Sequence, residues 1–204
     1  ESELESVKAD LSALKEKFSS VTTIDELTGC YNEAHFRDLL LQHSAMSTRG
    51  SYEFTVAVVQ VDQFAHIVDN HGLASANETL KLFCRIVKAA LREVDVIARM
   101  GPDIFGMLLY GAGEDDAVMI INRISQLISQ IQIKDDEELK VTTSGGITCF
   151  HSTESVDELI INATKALEFA VDQGRDRVAG FNYKPPEETT EDSADPVEED
   201  TPNN

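Results

Sequence analysis

Two short apolar runs flank a turn in the sequence Arg92-Glu93-Val94-Asp95-Val96-Ile97-Ala98-Arg99-Met100-Gly101-Pro102-Asp103-Ile104-Phe105. The first run covers residues 94–97, and the second continues from Ile104 to Tyr110. Apolar runs on both sides of Gly-Pro-Asp are typical of a β-hairpin, although these three residues also occur in ordinary turns. Arg92 and Asp95 then precede the first strand. The hairpin tip is exposed backbone that can approach a ligand closely.

The composition argues against two classes of protein. The chain has 204 residues, of which 42% are hydrophobic, enough for one domain with a full core. Its 17 basic and 37 acidic residues give a net charge of -20, which argues against a nucleic-acid surface. No apolar run reaches membrane-spanning length, and no signal peptide is visible. We therefore expect no direct membrane contact and a cytoplasmic location, either alone or as the cytoplasmic part of a longer, membrane-bound protein.

The cysteines are odd in number and widely spaced. Cys30, Cys84 and Cys149 each fall in or beside a predicted core element. Buried free thiols in a reducing compartment are therefore favoured over disulfides or metal ligands.

The N-terminal segment has apolar residues at helical spacing. They are Leu4, Val7, Leu11, Leu14, Phe18 and Val21. This is the a/d seam of a coiled coil, and it predicts that residues 1–23 form a stalk joining two chains in parallel. Because the seam covers less than three full heptads, a single amphipathic helix packed on its own domain is the alternative.

The C-terminal segment, residues 184–204, is strongly acidic. From Pro185 onward it contains eight acidic residues and no Lys or Arg. Such a segment cannot bury enough apolar surface to offset the entropy of ordering, so we predict a disordered, solvated tail. An interaction tail is the alternative.

The middle of the chain alternates strands and helices. Strands are predicted at residues 54–61, in both arms of the hairpin, at 141–150 and at 177–181, and helices at 73–91, 114–131 and 156–170. Acidic residues 114–116 suit a helix N-terminus, and Gly174 suits a helix end. About five strands whose faces must be covered by helices predict an α/β sandwich of the α+β kind.

Five short motifs also follow one another along the middle of the chain. They are Asp25-Glu26-Leu27-Thr28-Gly29-Cys30-Tyr31-Asn32, Asp62-Gln63-Phe64, Arg99-Met100-Gly101-Pro102-Asp103-Ile104-Phe105, Ser144-Gly145-Gly146-Ile147 and Gly174-Arg175-Asp176-Arg177-Val178. In this order and spacing they resemble the GGDEF domain of the diguanylate cyclase family, and the domain is expected to cover residues 24–183. The resemblance implies a five-stranded central sheet wrapped by helices, related to the adenylyl cyclase palm.

The resemblance also implies a chemistry. Active family members join two GTP molecules into cyclic di-GMP, with one GTP on each subunit of a dimer. Carboxylates hold Mg²⁺, which activates the 3′ hydroxyl and neutralises the triphosphate.

This sequence departs from the family pattern at the catalytic positions. The first metal-binding Asp is replaced by Gln60, the phosphate-binding Lys residues by Ala65 and Val171, the guanine contacts by Val68 and Asn77, and two signature residues by Pro102 and Ile104. Asp103, Asp62 and Arg175 are the remnants, and Asp103 alone is a plausible metal ligand. Each lost catalytic group costs about 2–4 kcal/mol by analogy with electrostatic catalytic groups, so two or three losses imply a rate at least ~10³ lower.

A second family site is retained. Many members bind cyclic di-GMP at an inhibitory R-x-x-D motif five residues before the first Gly of the signature, with a further arginine on the following helix. Arg92, Asp95 and Arg123 occupy these positions. Arginine forks suit guanine O6/N7 or phosphate, and a carboxylate accepts from guanine N1 and N2. The alternative, an i,i+3 ion pair at a helix end, leaves Arg123 unexplained.

The sequence therefore predicts a degenerate GGDEF domain that is catalytically inactive and acts as a cyclic di-GMP receptor. A weak diguanylate cyclase and a scaffold or dimerisation module without a ligand are the alternatives. No cofactor is expected, and Mg²⁺ only if cyclase activity remains. The expected partners are cyclic di-GMP, a second copy of the chain through the N-terminal helix, and an upstream module that the sequence does not identify.

Overall fold

The computed structural model describes residues 22–50, 52–130, 140–151 and 155–181. These residues form ten elements: β1 (Tyr31–Asn32), α1 (Glu33–Gly50), β2 (Phe54–Val61), α2 (Phe64–Ala90), β3 (Val96–Arg99), β4 (Ile104–Tyr110), α3 (Glu114–Ser129), β5 (Thr143–Cys149), α4 (Val156–Asp172) and β6 (Val178–Gly180). The predicted stalk seam and the predicted acidic tail from Pro185 lie outside the described residues. No described helix is both long and apolar enough to cross a membrane.

The strands form one mixed sheet in the order β1-β3-β4-β2-β5-β6. Strand β2 lies at the centre and pairs antiparallel with both β4 and β5, whereas the edge strands β1 and β6 pair parallel with β3 and β5. The hairpin prediction is confirmed, since β3 pairs antiparallel with β4. The expected number of five strands is wrong for the described residues, because the two-residue β1 also pairs. A strand of two residues is too short to show alternating apolar and polar residues, so the sequence pattern did not predict it.

Helices cover both faces of the sheet, which confirms the predicted sandwich. Alternate residues of β2 point to opposite faces: Ala57, Val59 and Val61 join one core cluster, and Val56 and Val58 join the other. The first cluster is closed by α2 and α3, and the second by α1 and α4. This double burial explains the continuous apolar run of β2.

Two helices differ from the sequence prediction. Helix α1 was not predicted, because only Phe36 and Leu40 are fully buried in a segment otherwise rich in polar residues. Helix α2 begins at Phe64 rather than near residue 73, and Gly72 interrupts its helical backbone with a φ of 79°. Leu73 marks the start of the second part and is 63% exposed.

Candidate functional site

The β3–β4 turn is held from inside by Arg99. The amides of Met100 and Gly101 donate to the Ile104 carbonyl at 2.8 and 3.1 Å. Arg99 donates through Nε to the Gly101 carbonyl at 3.0 Å and through Nη2 to the Pro102 carbonyl at 2.7 Å. Two carbonyls of the turn therefore already have a donor.

Arg99 also ties this turn to the segment before β1. Its Nη1 lies 3.3 Å from Asp25 Oδ1, and both side chains are largely buried. Asp25 also accepts from the backbone and hydroxyl of Thr28, at 2.9 and 2.6 Å. The first and third sequence motifs thus meet in one hydrogen-bonded unit.

Gln60 stands where the family has its first metal-binding Asp, and its side-chain amide hydrogen-bonds to the remaining acid, Asp103. Gln60 Nε2 donates to Asp103 Oδ2 at 2.8 Å, and the Val61 amide donates to the Asp103 carbonyl at 3.0 Å. Gln60 also pairs with Ile104 across the β2–β4 ladder. An Asp at position 60 would place a second carboxylate beside Asp103, and the two negative charges would repel. Gln60 instead donates a hydrogen bond to Asp103, an arrangement that is stable without a cation.

Asp62, the other acidic remnant, is a buried structural group. It is 5% exposed, and its Oδ1 accepts from Ser144 Oγ at 2.7 Å. Its Oδ2 accepts from Thr142 Oγ1 at 2.8 Å and from the Asp176 amide at 3.2 Å. The carboxylate thus joins the end of β2 to β5 and to the turn before β6. Its oxygens are engaged by three protein donors, so it is poorly placed to bind Mg²⁺ as well.

The remaining catalytic positions supply apolar or exposed groups. Val68 packs against the core cluster that α2 and α3 close, and Val171 and Ile104 pack against the opposite core cluster. These side chains cannot donate to a guanine or neutralise a phosphate.

Ala65 and Arg175 are exposed, and Asn77 is half-buried. Arg175 has a φ of 65° and Asp176 a φ of 48°, so two consecutive non-glycine residues adopt the left-handed conformation in this turn.

The described residues do not fit a divalent metal centre of the kind that the family implies. They contain no group of three or more His, Cys, Asp or Glu side chains that could hold a metal. Asp103 is one carboxylate beside an amide, whereas Mg²⁺ sites generally use carboxylates together with water and substrate phosphates.

The second predicted site lies at the other end of the hairpin, where β3 begins and β4 ends. Asp95 Oδ2 accepts from the Arg92 amide at 3.0 Å, and Asp95 Oδ1 accepts from the Tyr110 amide at 3.0 Å. The Asp95 amide donates back to the Arg92 carbonyl at 3.0 Å. The carboxylate therefore fixes the loop from Arg92 to Asp95 against β4. It does so through backbone bonds, and the structure shows no Arg92–Asp95 side-chain ion pair.

Arg123 is brought to this site by α3. Its Nη2 donates to the carbonyl of Ala90, the last residue of α2, at 2.8 Å. A guanidinium at a helix C-terminus also interacts favourably with the helix dipole. Arg92 and Arg123 are both exposed, and within the described part of the chain the Arg92 guanidinium forms no hydrogen bond or ion pair.

The three predicted ligand residues thus lie around the junction of α2, β3 and β4. The backbone partners that hold them, Ala90 and Tyr110, were not predicted. Backbone donors and acceptors leave no mark on the residue types, so no sequence signal identifies them.

One family profile matches most of this chain. The profile described as diguanylate cyclase, GGDEF domain, matches residues 22–177. The chain belongs to the GGDEF family. This confirms the resemblance carried by the five motifs, including the altered signature from Gly101 to Phe105.

Curated relatives of this GGDEF domain are longer than the chain. Diguanylate cyclase DgcP of Pseudomonas aeruginosa is 31% identical over 155 residues, covering 76% of this chain and 23% of DgcP. Diguanylate cyclase A of Treponema denticola is 28% identical over 163 residues, covering 78% of this chain and 44% of the relative. The chain therefore matches less than half the length of each.

Solved GGDEF structures share the fold. The GGDEF domain of DgcB from Caulobacter crescentus, crystallised in complex with c-di-GMP, has a TM-score of 0.76 at 22% identity and covers 79% of this chain and 97% of that one. Diguanylate cyclase SiaD of Pseudomonas aeruginosa, in complex with its activator SiaC, has a TM-score of 0.75 at 25% identity and covers 87% of this chain and 72% of SiaD.

Proposed function

We propose that this GGDEF domain binds cyclic di-GMP through Arg92, Asp95 and Arg123 and does not synthesise it. The observation that carries the proposal is the contrast between the two ends of the hairpin. At the turn, Gln60 donates to Asp103, the remnant that the family resemblance leaves as a plausible metal ligand. At the opposite end, two exposed arginines flank a carboxylate that is fixed by backbone bonds.

The chemistry of the ligand matches this second site. Two arginine forks can each engage a phosphate or the O6/N7 edge of guanine. Both oxygens of Asp95 accept one backbone bond each, and a carboxylate oxygen can accept a second donor, so guanine N1 and N2 can still bond to it. In a protein of net charge -20, paired arginines provide a local attraction for a dianionic ligand.

Calorimetric titration with cyclic di-GMP tests the proposal directly. We expect micromolar affinity or better, about -8 kcal/mol or stronger. Arg92→Ala removes one guanidinium and should weaken binding about tenfold or more, since a bidentate contact contributes ~1–3 kcal/mol. Arg85→Ala is the matched control, because Arg85 is also an exposed arginine, near the C-terminal end of α2.

Two variants at the β3–β4 turn separate this site from the former catalytic positions, and a third tests base recognition. Gln60→Ala and Asp103→Ala alter the opposite end of the hairpin and should leave affinity unchanged. Asp95→Asn should reduce the preference for guanine over adenine in the dinucleotide. The proposal fails if folded protein shows no binding near millimolar ligand, or if binding survives Arg92→Ala and is abolished by Asp103→Ala.

The weak diguanylate cyclase is the second candidate, and the relatives named as diguanylate cyclases favour it. We expect no cyclic di-GMP from GTP with Mg²⁺ or Mn²⁺, because the metal position holds Gln60 and the phosphate position holds Ala65. Product above a no-protein blank that disappears in Asp103→Ala establishes the enzyme instead.

Parallel association through the N-terminal helix remains a prediction, because residues 1–21 lie outside the described part of the chain. Light scattering on the full chain and on residues 22–204 measures it. Equal monomeric masses at high concentration contradict the coiled-coil stalk.

A further inference from the structure

The C-terminal half of α2 is basic in a chain that is otherwise strongly acidic. Residues 79–92, which run from the middle of α2 into the loop after it, contain four Lys or Arg residues and no Asp or Glu. Lys81, Arg85 and Lys88 are spaced by four and then three positions, so they share one face of the helix. We call these three residues the α2 basic row. Lys81 is half-buried, whereas Arg85 and Lys88 are exposed.

A surface cleft lies between this row and the turn before β1. It has a volume of about 380 Å³, and its wall is formed by residues 27–29 on one side and by Glu78, Lys81 and Arg85 on the other. Lys88, one turn further along α2, bonds the two sides together, since its Nζ donates to the carbonyl of residue 29. One wall of the cleft therefore carries cations.

The cations of the row can bond to further carboxylates. Lys81 Nζ donates to Glu78 Oε1 at 2.8 Å, and over the described ranges the Arg85 guanidinium forms no hydrogen bond or ion pair. An ammonium has three N–H donors and a guanidinium has five, so the bonds of Lys81 and Lys88 use only a small part of this capacity. The row is therefore suited to an acidic segment.

The acidic tail, residues 185–204, has the complementary charge. It carries eight Asp or Glu residues and no Lys or Arg, and it lies outside the described residues. A separate polyanion is repelled by the net charge of -20. A segment of the same chain, in contrast, is kept near the row at an effective concentration that a separate partner does not reach.

The tail is also long enough to reach the row. Strand β6, which precedes it in the chain, forms one edge of the sheet, and the cleft lies beside β1 at the opposite edge. Five strand spacings separate the two edges, about 24 Å in total. Residues 182–204 span up to about 75 Å at ~3.3 Å per residue, so their acids reach the cleft even by a path around α3.

The basic residues nearest to the tail in sequence are less suitable. Arg175 and Arg177 lie among Asp172 and Asp176, whose carboxylates repel another acid. Arg177 Nε also donates to the Arg175 carbonyl at 3.0 Å. The α2 basic row, by contrast, lies in the stretch without Asp or Glu.

We propose that the acidic tail docks on the α2 basic row of its own chain and covers the cleft beside it. Docked there, the tail excludes other anions from Lys81 and Arg85. Because the groups are exposed, salt weakens the contact: the screening length falls from about 30 Å at 0.01 M salt to about 3 Å at 1 M. The inference rests on the fold and the charges, and it does not depend on the cyclic di-GMP site.

Zero-length cross-linking of the full chain tests the proposal. A carbodiimide joins a lysine amine to a carboxylate only where the two groups are in contact. Trypsin then releases the tail in peptide 178–204, because the bond between Lys184 and Pro185 resists cleavage. At about 0.01 M salt we expect this peptide to be joined through Lys81 or Lys88, and at about 1 M NaCl we expect little of the product.

Two lysines provide internal controls. Lys165 is an exposed lysine of α4, a helix that packs against β6, so a tail that collides at random meets Lys165 at least as often as the row. A link between Lys81 and Glu78 is expected at both salt concentrations, because the two groups already form an ion pair. That link shows that the reagent reaches the cleft.

A matched pair of variants tests the role of charge. Arg85→Gln removes a cation that the reagent cannot itself link, and it should lower the yield of tail links about two- to fivefold, the range for one exposed ion pair. Arg49→Gln changes an exposed arginine of α1 and should leave the yield unchanged.

Four results would overturn the proposal. They are tail links to Lys165 that equal those to Lys81 and Lys88, equal yields at the two salt concentrations, equal yields in Arg85→Gln and the wild type, and no tail link at all while the link from Lys81 to Glu78 forms. An equal mixture of ¹⁴N- and ¹⁵N-labelled chains shows which chain supplies the tail. Links found only between different chains also contradict docking within one chain.

Discussion

Replacing Asp95 with asparagine measures how strongly one carboxylate holds the candidate ligand site together. In the wild type, Oδ1 accepts from the Tyr110 amide and Oδ2 from the Arg92 amide, each at 3.0 Å. Asparagine has one acceptor oxygen, and its NH₂ group meets the other backbone N–H. Whichever way the amide turns, one bond is lost and one N–H loses its acceptor.

The cost follows from the type of bond. A hydrogen bond to a charged acceptor contributes about 1.5–3 kcal/mol to stability, and the half-buried position of Asp95 favours the lower part of that range. We therefore expect Asp95→Asn to lower the free energy of unfolding by about 1.5–2 kcal/mol. For a domain of this size, that corresponds to a melting temperature lower by about 3–8 °C.

Urea denaturation at pH 7 measures this change, and amide exchange of Tyr110 locates it. Glu93→Gln is the matched control, because Glu93 is an exposed neighbour in the same loop and should stay within about 0.5 kcal/mol of the wild type. If Asp95→Asn matches that control and Tyr110 exchange is unchanged, the carboxylate does not hold the loop. Loss of guanine preference in this variant would then be a direct effect on the ligand.

Two further predictions concern the scaffold. Gly146→Ala should destabilise the domain by about 2–4 kcal/mol in urea denaturation, because an added Cβ would lie 2.1 Å from the Ala163 carbonyl oxygen and the Leu167 nitrogen of α4. Gly113→Ala is the control, because a Cβ at Gly113 would have no other atom within 4 Å. Equal stabilities of the two variants would contradict close packing of α4 on β5. Burial lowers the pKa of His43 below its unfolded value of 6.5. As the pH drops below 6.5, the unfolded chain therefore takes up the proton first, and the free energy of unfolding should fall from its value at higher pH. His43→Gln should therefore show a smaller loss of melting temperature than the wild type between pH 7.5 and 5.5, and parallel curves would refute this.

Much of the site was predictable because the family resemblance assigns positions along the chain to common sites. It assigns Arg92, Asp95 and Arg123 to one ligand site, and in the structure they lie around one junction. It assigns Gln60 and Asp103 to the metal site, and their side chains share a hydrogen bond. The sequence did not predict that the buried Asp62 carboxylate joins separate elements by hydrogen bonds. Its three donors come from the β5 region and from the turn after α4, which are distant in sequence.

The sequence by itself determined the elements that carry a strong local period. The apolar run of β2 and the spacing of apolar residues in α3 and α4 are local patterns, and the hairpin follows from two runs around one turn. These patterns were enough to predict the sandwich, whereas the family was predicted from the resemblance of the five short motifs.

Only the tertiary structure decided the features that depend on distant partners. The two residues of β1 become a strand because β3 offers them a free edge, and α1 is helical with few buried residues because Phe36 and Leu40 find places on the sheet. Cys30 and Cys84 are separated by more than 50 positions and belong to one core cluster, because α2 packs against the turn before β1, where Lys88 donates to the Gly29 carbonyl. Pairings of this kind follow from how the elements pack in space, and no local sequence period records them.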